Sequence, residues 1–181
     1  MKEINLNEQS FISFLDKFFQ LKTIESHLNF LEEWLELVVT DKFFTKENSP
    51  GKVLNIYKLY VELYEKAFEL ACDTPTQNKL QILTKQVEPN SNYKCCYLLD
   101  EEIINPILAL HFIFDQVDLS AYQIALNNWL ESSLNNRVSD LNGNLIFPLY
   151  SHTKKLLEAS WLIYQRTEAN NKTPTGSIEK I

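Results

Sequence analysis

Residues 53–71 read VLNIYKLYVELYEKAFELA. Apolar side chains occupy almost the whole circumference of this stretch. Its polar residues, Asn55, Lys58, Glu62, Glu65, Lys66 and Glu69, recur every three or four positions. That recurrence is the period of an α-helix, and a narrow polar stripe on an apolar cylinder describes a helix buried on most sides. Glu62 and Lys66 stand four apart in the order that favours pairing. A helix this apolar needs other elements packed around it, so the rest of the chain must supply them.

Upstream, Ser49-Pro50 offers a cap followed by proline at the first helical position. Before it, Thr23 opens a helix whose apolar line is Ile24, Leu28, Leu31, Leu35 and Val38. Glu25, Asn29, Glu32, Glu33 and Glu36 form the opposite, acidic face. Glu8 to Leu21 carries Phe11, Leu15, Phe18 and Phe19 at helical spacing. Downstream, Thr74 with Gln77 fits a capping box ahead of a short helix through Leu80, Leu83 and Val87. A β-hairpin turning at 88–92 competes with that helix, and residues 93–99 (YKCCYLL) read as extended or irregular.

Asp100 and Asn105-Pro106 each offer a helix start, and Ile107 to Val117 is apolar except for His111, Asp115 and Gln116. Ser120 with Gln123 reads as a capping box, framed by a staple between Leu119 and Ile124. That helix is expected to run to about Asn135. An Asn-Gly turn at 142–143 follows. A last helix is expected over Pro148–Thr167, with Leu149, Leu156, Leu157, Trp161, Ile163 and Tyr164 inward and Lys154 and Glu158 outward.

The chain has 181 residues, of which 45% are hydrophobic and only 3 are glycine. Sheets need many tight turns, and tight turns need glycine. The fold class is therefore all-α: a compact bundle of about six helices over residues 1–168, with one short extended segment near 93–99. The polar stretch 169–181 cannot bury enough apolar surface to order itself and is expected to be a disordered tail.

The formal net charge is -7, with 17 basic residues against 24 acidic ones and no basic block. Nucleic-acid affinity rests on neutralising phosphates, so that class of partner is disfavoured, as is an acidic membrane surface. No apolar run reaches the length that spans a bilayer, and the first residues lack the apolar core of a secretory signal. Cys72, Cys95 and Cys96 are odd in number and contain no CxxC pair. A reduced, cytoplasmic protein is the expectation.

Three histidines, His27, His111 and His152, fall on three different predicted helices. His111 and Asp115 stand four apart and share a face. With a third ligand from His27 or His152 they would make an open three-ligand site for a divalent metal. The plainer account is a polar stripe, since no Glu-x-x-His or His-Glu-x-x-His occurs. Tyr57, Tyr60 and Tyr64 line up at helical spacing, either along a ligand pocket or as a face whose hydroxyls reach the surface. Lys94 beside Cys95 and Cys96 would ease thiolate formation slightly. Asp100-Glu101-Glu102 suits the first turn of a helix.

No nucleophile elbow or phosphate-cradling loop is present. The sequence therefore points away from an enzyme and needs no cofactor. A protein–protein interaction or regulatory role is the first expectation, with a protein partner or self-association. A metal-binding bundle built on His111 and Asp115, and a small-ligand bundle with a tyrosine-lined pocket, are the alternatives.

Overall fold

The computed structural model describes residues 6–40, 49–73, 93–135 and 146–172. Seven helices form among them: α1 (Leu6–Leu21), α2 (Ile24–Val39), α3 (Pro50–Asp73), α4 (Asp100–Ile104), α5 (Ile107–Gln116), α6 (Leu119–Asn135) and α7 (Ile146–Lys172). No strand is found among the described residues, so the all-α reading holds. No described helix is long and apolar enough to cross a membrane.

Several boundaries follow from local chemistry. The Thr23 hydroxyl accepts the Ser26 N–H at 3.3 Å and so begins α2. Pro50 opens α3, while Ser49 accepts the Lys52 N–H on its hydroxyl and the Val53 N–H on its carbonyl. Pro106 turns the chain between α4 and α5. Residues 93–99 have no regular structure, as their sequence suggested.

Other boundaries differ from expectation. Ser120 does not cap α6. The Asp118 carbonyl accepts the N–H groups of Ala121 and Tyr122, so the helix begins at Leu119. Ile124, the supposed staple partner, is 61% exposed. The last helix is longer at both ends than Pro148–Thr167, and residues 169–172 continue it instead of starting a tail. The Thr74 capping box, the helix–hairpin alternative at 80–92, the Asn142-Gly143 turn and residues 173–181 lie outside the described residues.

α3 packs against α1, α5 and α6, and α7 packs against α1, α2, α4, α5 and α6. Val53, Ile56, Tyr60, Leu63, Tyr64, Ala67 and Leu70 are the buried line of α3. Each large side chain in that line stabilises the fold by roughly 1.5–3 kcal/mol of transfer free energy. Trp34 of α2 meets Trp129 of α6 edge to face, with centroids 5.5 Å apart. The Trp34 indole N–H donates to Ser133 Oγ, which in turn donates to the Trp129 carbonyl. Tyr64 and Thr153 join α3 to α7 through their hydroxyls at 2.9 Å, and Thr153 donates onward to the Leu149 carbonyl. The core is thus aromatic, and the polar tips of Trp34 and Tyr64 are satisfied in short relays, whereas the buried Trp129 indole N–H finds no hydrogen-bond partner.

Candidate functional site

α7 carries a row of polar side chains into the protein where an apolar face would be expected. Lys154 and Glu158, predicted to face outward, are both buried, Glu158 fully so. They do not pair with each other in the manner of a surface i,i+4 bridge. Glu158 Oε1 accepts from the Tyr93 hydroxyl at 2.6 Å and the Cys96 N–H at 2.8 Å, and Oε2 accepts the Tyr97 N–H at 2.7 Å. One carboxylate therefore does for Cys96 and Tyr97 what a helix or sheet ladder does elsewhere: it satisfies their backbone donors and fixes their position. Tyr93 packs edge-on against Trp161 one turn further along α7.

Lys154 reaches the other way. Its ammonium donates to Glu32 Oε1 and to the Tyr97 hydroxyl, both at 2.9 Å. It lies 4.7 Å from the Tyr97 ring centre and 4.2 Å from that of Tyr150. Burial alone would lower its pKa, but the hydrogen bonds to Tyr150, Tyr97 and Glu32 outweigh this and raise it. The ammonium stays charged inside an aromatic cage.

Lys155 pairs with Glu102 of α4 at 2.5–2.6 Å, an almost fully buried ion pair. The other Glu102 duty is to accept the Leu99 N–H at 2.7 Å. Of the acidic triplet, Asp100 and Glu101 are exposed at the first turn of α4, while Glu102 turns inward. Lys155 also sits 4.9 Å from the Phe112 ring centre. Further along α7, Arg166 donates to the carbonyls of Ile103 and Ile104 and closes the last turn of α4.

Four apolar side chains tied to this buried row are exposed. Tyr97 is 39% exposed, Leu99 58%, Ile104 48% and Phe112 44%. Each is tied by a contact above to Lys154, Lys155, Glu102 or Arg166. Exposed apolar residues are common singly; here four of them are tied to one frame of buried charged side chains.

The histidines are placed as follows. His27 is fully buried, stacked on Phe18 at 4.1 Å, with Nε2 donating to the Phe18 carbonyl at 3.4 Å and Nδ1 without a partner. Burial, opposed in part by the Phe18 carbonyl, lowers its pKa to about 4, and the ring is neutral. His152 of α7 meets the Tyr122 hydroxyl through Nδ1 at 2.6 Å. Since that hydroxyl donates to the Ile113 carbonyl, His152 Nδ1 is the donor of the pair. Burial first, and Lys155 second, lower the His152 pKa. His111 is half-buried on α5 and Asp115 is exposed. Among the described residues no three His, Cys, Asp or Glu side chains gather in a group that could hold a metal ion.

Tyr60 and Tyr64 fill the core. The Tyr60 hydroxyl donates to the His27 carbonyl at 3.1 Å, and Tyr64 stacks on Tyr122 at 4.6 Å. Both are fully buried, so neither hydroxyl reaches the surface, and burial raises both phenol pKa values. Tyr57 is half-buried. Cys72, Cys95 and Cys96 are all free thiols. Burial, reinforced by the Glu158 charge, pushes the Cys95 thiol up to about 12, so Lys94 does not make it a thiolate.

The sequence reading set Glu158 on the outer face of its helix and Glu102 in a first turn, and it did not name Lys155. The one visible hint was Glu158 lying between Leu157 and Ala159 in the apolar line of α7. Its partners are more than 60 residues away in the chain, and no periodicity reports such a pairing. No family model, curated protein or solved structure matches this chain.

Proposed function

We propose that the chain is a non-catalytic interaction protein that binds a partner protein over the surface bearing Tyr97, Leu99, Ile104 and Phe112. The observation that carries this is the anchoring of an irregular segment by buried charge. Burying carboxylates and ammonium groups is costly, and well-packed apolar residues would hold a loop at least as firmly. What charged anchors supply is position: Glu158 and Glu102 fix the backbone at residues 96, 97 and 99. Apolar side chains held in place before binding lose little entropy on docking. Aromatic residues are also the group most enriched at interface centres.

The rim defines the partner's chemistry. Asp100, Glu101 and Glu32 are exposed beside the patch, and the chain's net charge is -7. A partner with an apolar centre and a basic rim is complementary. A second copy of this chain would set acid against acid.

Photo-crosslinking in the cell tests the proposal. A photoreactive amino acid placed at Leu99 or Phe112 is expected to give a discrete product with one other protein. The same group at Ser13 or Lys17, on the exposed face of α1, is expected to give none. Equal products at all four positions, or none at any, overturn the reading, and a product of twice the chain mass replaces the partner with a second copy.

A further inference from the structure

Three helices meet at the imidazole of His152 on α7. Its Nδ1 holds the Tyr122 hydroxyl of α6 at 2.6 Å, and that hydroxyl donates to the Ile113 carbonyl of α5 at 3.0 Å. The same carbonyl accepts the N–H of Val117, the residue that ends α5, at 3.3 Å. The His152 ring also meets the Phe112 ring of α5 at 83°, with centroids 5.9 Å apart. One side chain of α7 thus holds the end of α5 twice, directly at Phe112 and through Tyr122 at Ile113.

The His152 ring is half-buried, and the charges around it decide how readily it takes a proton. Lys155 stands three residues further along α7, with its ammonium 4.9 Å from the centre of the same Phe112 ring. Glu102 of α4 is engaged by Lys155 and by the Leu99 N–H. α6 contributes the buried phenol of Tyr122, on which Tyr64 of α3 stacks. α5 carries His111 and Asp115 on either side of Phe112 in the sequence. Burial, and after it the Lys155 charge, lowers the His152 pKa from its ordinary 6.5.

We infer that His152 is an acid-sensitive latch: the neutral ring holds the end of α5 on α7, and the protonated ring releases it, Phe112 included. With Nδ1–H given to Tyr122, the incoming proton goes to Nε2. The relay to Ile113 keeps its hydrogen bonds and acquires a charge. Phe112 is then flanked by two partly buried cations, which repel each other. α5 is the element that yields, because it has only 10 residues and a helix that short depends on its docking. The docking is fully stabilised above about pH 6.5 and weakens as pH falls through the lower, folded value. Release of Phe112 in mild acid would dismantle the binding surface proposed above. That consequence rests on the binding reading, and the latch itself does not.

The test is amide exchange and histidine NMR on the full chain alone, titrated from about pH 7.5 to about pH 4.5. The His152 ring should titrate below 6.5. With the same midpoint, amides from Ile113 to Val117 should lose protection at least about threefold relative to α3, after correction for intrinsic exchange. His152→Gln should abolish this local response although His27 remains, whereas His111→Gln should keep it. The latch is overturned if His152 titrates at or above 6.5, or if the α5 amides ignore its midpoint. It is equally overturned if the response survives in His152→Gln or disappears in His111→Gln. Should His152→Gln fail to fold, the wild-type titration decides, since a ring protonated without change at Ile113–Val117 latches nothing. No partner enters this measurement, so the latch and the binding surface fail separately.

Discussion

At the scale of the residue, Glu158 decides most. Its two oxygens receive three donors from residues 93, 96 and 97. Glu158→Gln keeps the shape but turns one acceptor into a donor facing a donor. We expect this change to cost about 2–4 kcal/mol, measured by urea denaturation, because hydrogen bonds to a charge are lost and a backbone N–H is orphaned. Amide exchange at Cys96 and Tyr97 should accelerate more than exchange in α3, and a stability change within about 0.5 kcal/mol would contradict the assigned role. His27 gives a pH dependence of definite sign. Its folded pKa, about 4, lies below the ordinary value of 6.5. Between these values the unfolded chain binds a proton that the folded one refuses. Stability from this group is therefore complete above about pH 6.5 and is lost as pH falls towards 4, by up to about 3 kcal/mol. In His27→Leu the slope of stability against pH over that window should flatten, whatever the absolute stability of the variant. The sequence showed both residues but not their roles. A histidine on the edge of an apolar face and a glutamate among apolar neighbours look alike whether they meet water or a buried donor.

At the scale of the element, boundaries were legible where the cap is a side chain. Thr23 and Ser49-Pro50 start α2 and α3 as their residue types suggest, since a hydroxyl that satisfies a free N–H leaves a local signature. They were misread where the backbone does the work: α6 starts from the Asp118 carbonyl, and the Ser120–Gln123 pair sits inside the helix. Two substitutions separate the cases. Thr23→Ala should destabilise by about 1 kcal/mol, and Ser120→Ala should stay within about 0.5 kcal/mol of wild type, both by thermal or chemical denaturation. A loss of about 1 kcal/mol at Ser120 would restore it as the cap. The outward reading of Lys154 and Glu158 failed for a related reason. Their spacing matches a solvated i,i+4 pair, and only the packing of residues 93–99 and of α2 against α7 reverses the face.

At the scale of the whole molecule, the all-α bundle was readable from scarce glycine and from residues 53–71, whose period needs no knowledge of partners. What touches what was not readable: the Lys155–Glu102 pair joins residues 53 positions apart, and Trp34 meets Ser133 across 99. Core packing sets the stability scale. Leu63 is fully buried on α3. Leu63→Ala should cost about 2–5 kcal/mol in a two-state unfolding measurement, the upper end if neighbouring helices cannot close the cavity. The three tryptophans give this molecule an optical property of its own. Trp34, Trp129 and Trp161 are all at least 96% buried, and the first two touch across α2 and α6. Native emission should therefore be blue, and the near-ultraviolet circular dichroism should carry a signature of the contact between the two indoles. A change that parts α2 from α6 while leaving the helices intact would erase that signature and keep the far-ultraviolet spectrum. The protein thus carries a built-in reporter of helix docking, distinct from helix content and readable without a label.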